Sequence, residues 1–511
     1  MRLPNEIDVG VSFRRRSPRN IAPAHLGLCA IAILAFLRLL SATSLAQAAP
    51  GGQGPIPQLS PDPGPALASS EGITLQDAVQ RALTSYPTVR IALEKTLSAR
   101  ANVGLTRTQY LPQANVLWQT NRSTYNNIAG LVIPQGVVPS LSGPVLADTS
   151  GTSVWGSAGG LLMNWEPTRF GYRKAEVDAA KAGASAADER VALTKLDVAN
   201  AAASAYLTVA AIHEQVRSAQ ADLSRRHTFA GTIHALVDNQ LRPGADASEA
   251  DAEVAAARTR LIQAETLERV DLAALAELLV VPSSQIHLSS DALLTTPPEE
   301  SLPSFVAASH PMALEGNHLL EQSKAEERVW SRAYTPRIAL EGSISGRGSG
   351  VKPNGTLLEG TNGLAPDRSN WAIGVQATFA PFDYFSIREQ KKIAASNEHA
   401  QQLNNQNTIQ TLNTQVEQAR AQLDGAVQIA RNTPVQLAAA RMGESQAGAR
   451  YQAGLANIVE ATQAQALLQQ AEAQDALARI GVWQALLGVY VAQGDITPFL
   501  NRVPSLTTGG H

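Results

Sequence analysis

The pattern of apolar and polar positions divides the chain into long helical stretches and short alternating ones. Apolar residues recur every three to four positions over 76–109, which predicts an amphipathic helix. Over 113–121 the pattern becomes an alternation, which predicts a strand with Ala114, Val116 and Trp118 on one face and amide side chains on the other. A helix followed by a strand is therefore the first unit that the sequence predicts.

The same unit occurs a second time. Two prolines bound each copy, in Tyr86-Pro87 and Leu111-Pro112 and again in His310-Pro311 and Thr335-Pro336, and the spacing between the two prolines is the same in both copies. The second copy has a predicted helix at 312–333 and a predicted strand at 337–345, with Ile338, Leu340 and Ile344 on one face. This duplication predicts a first repeat over 73–294, a second over 295–498 and a tail at 499–511.

Two further strands are predicted at 154–165 and 370–379, and the rest of each repeat is mainly helical. The proline-free stretch from Phe170 to about Val237 predicts one helix ~100 Å long, at ~1.5 Å per residue. The second repeat has a matching helix from about Phe385 to Gln452, which Pro434 is expected to kink or locally unwind. A shorter helix is expected after each long one, at 246–280 and at 457–493.

The four predicted strands are long enough to cross an outer membrane, since the stretch from Trp155 to Trp165 spans ~25 Å when tilted. Aromatic residues near the strand ends predict a membrane-interface set: Tyr110, Trp155, Trp165, Tyr334, Trp371, Phe382, Tyr384 and Phe385. A soluble sheet capped by aromatic residues is the alternative. Four strands are too few to close a barrel, and lipid excludes open edges, so insertion requires several copies. Two chains would give a barrel filled by side chains, whereas three would give twelve strands and a lumen.

The N-terminal region predicts export. An apolar run at 26–37 follows several arginines and precedes Ala46-Gln47-Ala48, which is the order of a secretory signal peptide over 1–48. A proline-rich linker follows at 49–72. No run of 18 apolar residues occurs after the leader, so we expect any membrane crossing to use strands. Cys29, the one cysteine, falls within the leader, which is compatible with an oxidising compartment.

Composition narrows the function classes. Only 5% of the 511 residues are aromatic, which favours close helix packing over one large globular core. The formal net charge is −3 and becomes about −7 without the basic leader, which argues against nucleic-acid binding. Histidines are scattered, and no carboxylate or cysteine completes a metal set around His227 and His234. No phosphate loop or nucleophile elbow is present, so we expect neither an enzyme nor a cofactor.

Three segments resemble one known family: ITLQDAVQRALTSYPTVR at 73–90, FGYR at 170–173 and ARYQAGLANIVEATQAQALLQQAE at 449–472. Over about 73–494 the chain resembles the TolC-type outer-membrane efflux proteins, the outer membrane factor family. Two departures stand out. Pro243 stiffens the first turn, and the second strand-to-helix run reads Phe382-Asp383-Tyr384-Phe385, without the glycines usual in the family.

The resemblance implies a mainly α fold with a small β part, in which a trimer forms an α-barrel of long helices joined to a 12-stranded β-barrel. It further implies a passive conduit of a tripartite efflux or type I secretion system. Its expected location is the outer membrane, with a long periplasmic helical part and contact with outer-membrane lipid. The expected partners are two further copies, a periplasmic adaptor and an inner-membrane pump. An exported coiled-coil scaffold of the periplasm is the alternative function.

The resemblance also implies that the turns between long helices form the periplasmic tip, where a gate and adaptor docking are expected. The candidate residues are Arg242, Pro243, Gly244, Arg450, Tyr451, Gly454, Leu455 and Asn457. Glycine suits these reversals because it adopts positive φ at little cost. Arg450 and Tyr451 are the better gate or docking candidates, because a guanidinium and a phenol can bond across chains and be released by an adaptor. An ordinary solvated surface is the alternative there.

Overall fold

We analysed a computed structural model of the chain. The structure describes residues 72–124, 151–289, 291–297, 302–352 and 355–503. The predicted signal peptide, the linker up to residue 71 and Cys29 therefore lie outside the described residues. So do most of the first interstrand loop and the end of the predicted tail.

Most of the described chain is helical. The helices are Leu75–Ser85 (α1), Pro87–Thr108 (α2), Tyr172–Asp238 (α3), Gly244–Leu279 (α4), Pro311–Ala333 (α5), Asp383–Gln452 (α6), Ile458–Gln493 (α7) and Thr497–Arg502 (α8). The strands are Gln113–Thr124 (β1), Ser153–Thr168 (β2), Arg337–Ser349 (β3) and Arg368–Thr378 (β4). Short 3-10 turns lie between α4 and α5, at Ser283–Gln285, Asp291–Leu294 and Ala307–Ser309.

Among the described helices, none joins enough length to enough apolar character to cross a bilayer.

The first predicted helix, at 76–109, is in fact two helices. Tyr86 between α1 and α2 is extended, with ψ of 126°. Pro87 causes the break, because a proline disfavours the helical conformation of the residue before it, and it then occupies the first position of α2, where no N–H is needed. Helical structure continues through Pro434, from Asp383 to Gln452, so the proline does not end this helix.

The two longest helices organise the packing. α3 has 67 residues and α6 has 70, so each is ~100 Å long. α3 packs against α1, α2, α4, α5 and α7, whereas α6 packs against α5 and α7. α5 therefore lies between the two long helices, and α2 packs on α3 alone among the long and medium helices described.

Four helix ends share one backbone feature, a left-handed residue one or two positions after the last helical residue. These residues are Gln240, Val280, Gly454 and Gly494, with φ of 59°, 56°, 75° and 89°. In each case the following N–H donates to the carbonyl five positions earlier, which satisfies a carbonyl at the helix end. The interval in sequence from Gln240 to Val280 equals that from Gly454 to Gly494. Both left-handed residues of the second repeat, Gly454 and Gly494, are glycines, whereas those of the first repeat, Gln240 and Val280, are not.

The four strands form one antiparallel sheet in the order β1-β2-β3-β4. Its register places Val116, Leu161, Ile344 and Trp371 in one row across the sheet. β3 continues to Ser349, beyond the predicted end at 345, because paired residues of β2 extend equally far.

A large apolar core lies where the ends of several helices meet. Its largest buried side chains include Tyr206, Trp483, Tyr490 and Phe499. The Tyr206 hydroxyl lies within hydrogen-bonding distance of the carbonyls of Ile73 and Ser289, at 2.9 and 2.8 Å. Phe499 belongs to the short helix α8, so the beginning of the predicted tail contributes to this core.

Candidate functional site

The two helical turns meet each other in space. One turn joins α3 to α4 and the other joins α6 to α7. In the first, the N–H of Leu241 donates to the carbonyl of Leu236 at 2.9 Å, and in the second, Leu455 donates to Arg450 at 2.8 Å. The two turns therefore have the same hydrogen-bonding pattern.

The expected roles of the glycines are only half right. Gly454 has the positive φ that reverses the backbone, as predicted. Gly244 has no positive φ and is the first residue of α4, after Pro243 as the N-cap. The left-handed position of the first turn is occupied by Gln240, which no sequence pattern had indicated. In the second turn, Asn457 caps α7 by accepting the Glu460 N–H at 2.9 Å.

Tyr451 joins the two turns. Its side chain is fully buried, and its hydroxyl donates to Asp246 Oδ2 at 3.0 Å. The Arg242 guanidinium lies 4.4 Å from the centre of the Tyr451 ring and donates to the Tyr451 carbonyl. The Phe229 ring also packs on it, with its centroid 5.4 Å away. We call these four residues the turn lock, because they hold residues of α3, α4 and the first turn against the end of α6.

The chemistry of the turn lock depends on a protonated phenol. Burial, and then the neighbouring Asp246, raise the pKa of Tyr451 to about 12. The hydroxyl therefore remains a donor at neutral pH. Around the ring, a small apolar cluster that includes Ile233, Ala247 and Ile458 buries the phenol, whereas Asp246, which accepts its hydrogen bond, remains partly exposed.

The structure places the side chains of the two gate or docking candidates differently. In the single chain the Tyr451 phenol is fully buried, and its hydroxyl bonds to Asp246 of the same chain. The Arg450 guanidinium is over half exposed and pairs with Glu460 at 3.3 Å. It also donates to the Leu455 carbonyl at 3.4 Å. Arg450 is thus accessible at the turn, whereas Tyr451 acts from inside it.

Two leucines are the most exposed apolar side chains of the turns. Leu241 is 68% exposed and Leu455 is 71% exposed, at equivalent positions. Leu455 was among the predicted docking residues, whereas Leu241 was missed. The signal that could have found Leu241 is its place directly after the helix-ending residue, which matches that of Leu455 after Gly454.

The sheet has one apolar and one polar face. The register confirms that the alternating apolar residues assigned to one face of β1 and to one face of β3 lie on the same face of the sheet. The apolar face is exposed, and Trp371, Ile373 and Val375 of β4 have at least 70% of their surface accessible. A contiguous exposed apolar surface marks an interaction site.

The predicted interface aromatics fall into three places. Most lie where strands meet helices: Tyr110, Trp165, Tyr334, Phe382, Tyr384 and Phe385. Trp155 lies near the opposite end of β2, with the Arg122 guanidinium 5.5 Å from its ring centre. Trp371 does not lie at an end. Its row with Val116 and Leu161 is in the middle of the apolar face, because β4 is shorter than β2. Trp118 is exposed on β1, on the same face as Val116, but it was not included in the predicted set of interface aromatics.

Comparison with known proteins identifies the family. Residues 78–280 and 302–495 match the Outer membrane efflux protein family, and these two spans make up most of the chain. The chain belongs to this family. Family members are non-enzymatic transport channels of the outer membrane with a long periplasmic helical part. The predicted mainly α fold with a small β part, the outer-membrane location and the absence of enzymatic function are therefore confirmed at the level of the family.

Individual relatives agree with this assignment. The chain is 22% identical to the pyoverdine export outer membrane protein OpmQ of Pseudomonas aeruginosa, over 82% of this chain and 85% of that one. Among solved structures it resembles the outer membrane protein VceC of Vibrio cholerae, with a TM-score of 0.67, 16% identity and coverage of 82% and 96%. It also resembles the open MtrE channel of Neisseria gonorrhoeae, with a TM-score of 0.66, 21% identity and coverage of 82% and 89%. These structures support the fold.

Proposed function

We propose that three copies of this chain form a passive conduit from the periplasm to the exterior, as the outer-membrane part of a tripartite efflux or type I secretion system. A periplasmic adaptor engages the helical turns, and an inner-membrane pump supplies the energy. The observation that carries the proposal is the sheet, which joins an exposed apolar face to two strands with only one neighbour each among the described residues.

The sheet edges support self-association. Among the described residues, β1 pairs only with β2 and β4 pairs only with β3. Lipid excludes such edges, because the unpaired N–H and C=O groups have no water to bond with. Pairing β4 of one copy with β1 of the next removes both edges. Three copies then give twelve strands and an open lumen, whereas two give a barrel filled by side chains.

The packing of the helices also supports contact with a neighbouring copy of the chain. Ile91 of α2 and Glu315 of α5 are equivalent, since each lies one helical turn after the proline that begins its helix. Within the chain, Glu315 contacts Arg190 of α3, with an N–O distance of 3.5 Å. Counted in residues from the helix ends, Arg190 occupies nearly the same position along α3 as Leu403 occupies along α6. Leu403 is therefore the counterpart of Arg190.

This equivalence predicts a contact between copies. Ile91 and Leu403 are both more than half exposed. If α2 packs on α6 of the neighbouring copy as α5 packs on α3, then Ile91 meets Leu403. The contact inside each chain is the ion pair of Glu315 and Arg190. The equivalent contact between chains is the apolar pair of Ile91 and Leu403. Such a head-to-tail interface generates a closed ring when its rotation closes.

The turns support docking and gating. Leu241 and Leu455 present equivalent apolar side chains at the tip, and accessible Arg450 adds a charged contact beside Leu455. An adaptor that engages these side chains acts next to the turn lock. Loss of the hydrogen bond from Tyr451 to Asp246 would release the end of α6 from α4. Docking and opening are thereby linked through neighbouring residues of the same turns.

The scaffold alternative is weaker. Long helices alone would suit a periplasmic scaffold, but such a protein gives no role to an exposed apolar sheet face. Membership of an efflux family also disfavours it.

Cysteine cross-linking tests the proposed assembly. The Ile91→Cys/Leu403→Cys variant should give a ladder of cross-linked species that ends at three chains in outer-membrane fractions. The matched control is Ile91→Cys/Ile429→Cys, because Ile429 is exposed on α6 but lies ~39 Å further along the helix. A soluble periplasmic monomer, or equal cross-linking in both variants, would contradict the proposal.

A further inference from the structure

A collar of basic side chains surrounds the end of the sheet where strands meet helices. We define the collar as the four connecting segments 105–112, 166–176, 330–337 and 378–388. Its charged residues are the basic Arg107, Arg169, Arg173, Lys174, Arg332, Arg337 and Arg388 and the acidic Glu166, Glu176 and Asp383. Seven basic and three acidic side chains give a net charge of +4, whereas the whole chain has a net charge of −3. The positive charge is therefore concentrated locally.

Two of the collar's three acidic side chains, Glu166 and Glu176, are partly buried. Glu166 pairs with Arg173 at 3.2 Å. Burial is the main cause that raises the pKa of Glu176 above its usual value. In the described part of the chain, no carboxylate oxygen lies within 4.0 Å of the charged nitrogens of four collar residues, Arg107, Lys174, Arg332 and Arg388. All four side chains are exposed, and Arg388 has the carboxylate of Glu389 next to it in sequence.

The collar is continuous with the apolar face in the second half of the chain. Phe379 follows β4 on the apolar face, and its ring centre lies 5.1 Å from that of Tyr334. The Tyr334 ring in turn lies 5.5 Å from that of Tyr384. Arg388 follows Tyr384 by one turn of α6, so both side chains project from the same side of the helix. Arg388 thus lies one helical turn beyond the aromatic cluster.

The first half has the same sequence of layers. Trp165 lies on the apolar face and donates its indole N–H to the Tyr110 carbonyl at 2.8 Å. The Arg173 guanidinium lies 5.8 Å from the centre of the Tyr110 ring. Lys174 follows and is exposed. In both halves, therefore, the order along the molecule is apolar face, aromatic residues and then basic residues.

We propose that the collar binds the anionic headgroups of phospholipids in the periplasmic leaflet of the outer membrane. This inference rests on the proposed function, because it requires the apolar face to lie in lipid. Aromatic rings favour the boundary between hydrocarbon and headgroups, and long basic side chains extend from there to the phosphates. One basic side chain near an anionic surface increases association about fivefold.

Lipid selectivity measures this directly. Full-length protein is reconstituted in phosphatidylcholine membranes with traces of spin-labelled phosphatidylglycerol or spin-labelled phosphatidylcholine. The measurement is the relative association constant of the two labelled lipids at the protein surface. We expect a preference of several fold for phosphatidylglycerol, which high salt reduces. The Arg332→Gln/Arg388→Gln variant should lose at least half of it. Arg441→Gln, at an exposed position on α6 far from the sheet, should retain it.

The outcomes separate this inference from the proposed function. Immobilised lipid with equal affinity for the two headgroups would overturn the collar proposal and leave the membrane location intact. A preference that survives in the double variant would also overturn it, since the charge would then act from elsewhere. Failure to immobilise either lipid would contradict the membrane placement, and the collar proposal with it. Unboiled gels of each variant verify that assembly is unchanged.

Discussion

Replacing Tyr451 with phenylalanine should loosen the periplasmic turns without disturbing the rest of the chain. The change removes one hydroxyl and keeps the ring, so the contacts with Arg242 and Phe229 remain. What is lost is the hydrogen bond to Asp246 Oδ2, at 3.0 Å. Since this bond connects the end of α6 to α4, its loss should act on both turns.

The magnitude follows from the environment of the bond. A hydrogen bond to a charged group contributes about 1.5–3 kcal/mol. Asp246 is only partly buried and water can replace the phenol, so the lower value of about 1.5 kcal/mol is appropriate. That free energy corresponds to about a tenfold increase in the population of the locally open turns.

Amide hydrogen exchange measures this population residue by residue. In Tyr451→Phe, exchange should be about tenfold faster in the two turns and unchanged in the core around Trp483. Tyr206→Phe is the matched control, because it removes a buried phenol from that core and leaves the turns intact. Tyr206→Phe should accelerate exchange in the core around Trp483 and leave exchange in the two turns unchanged. In planar bilayers, Tyr451→Phe should also raise the open probability of the channel.

Two results would refute this reasoning. Unchanged exchange at the turns would mean that the hydrogen bond does not hold them together. Equal acceleration in the turns and the core would mean that the variant destabilises the chain globally rather than at the turn lock.

Three further predictions concern the helix ends and the sheet. Gly454→Gln should destabilise the second turn by about 1 kcal/mol, because its φ is positive, whereas Gln240→Gly should slow amide exchange at the first turn. Burial lowers the pKa of His310 below its usual 6.5, so stability should fall as pH decreases through 6.5 and level off below the folded-state pKa. Thermal unfolding of His310→Asn, which retains an N-cap residue, should show a weaker pH dependence. Ile373→Lys on the apolar face should reduce the amount of protein in outer-membrane fractions by immunoblot, at a cost of about 2–4 kcal/mol, whereas Asn370→Lys on the polar face should not.

Local patterns predicted the elements that depend on local physics. Alternation identified the strands and their faces, since side chains in a strand point to opposite sides at every second residue. Composition and the absence of proline predicted the helix of 67 residues. The break at Tyr86 was also encoded locally, in Pro87, but the helical spacing on both sides concealed it. Trp371 was assigned to the end of a strand because register, unlike alternation, depends on the partner strand.

Local sequence patterns could not predict the turn lock. Arg242 and Tyr451 are separated by 209 positions in sequence, and nothing local links them. Gln240 was overlooked because its positive φ is imposed by the end of the helix rather than by its own preference. Tyr451 was chosen as a gate or docking candidate from its place at the turn and the ability of a phenol to bond across chains. Its burial comes from α3 and α4, which belong to the other half of the chain.

The most direct test of the conduit is the current carried by the purified protein. Material extracted from outer membranes as a heat-sensitive three-chain species is added to a planar bilayer, and single-channel current is recorded. The account predicts discrete conductance steps from this species and none from the boiled chain. A purified three-chain species that inserts into the bilayer and carries no current, even with Tyr451→Phe, would contradict it.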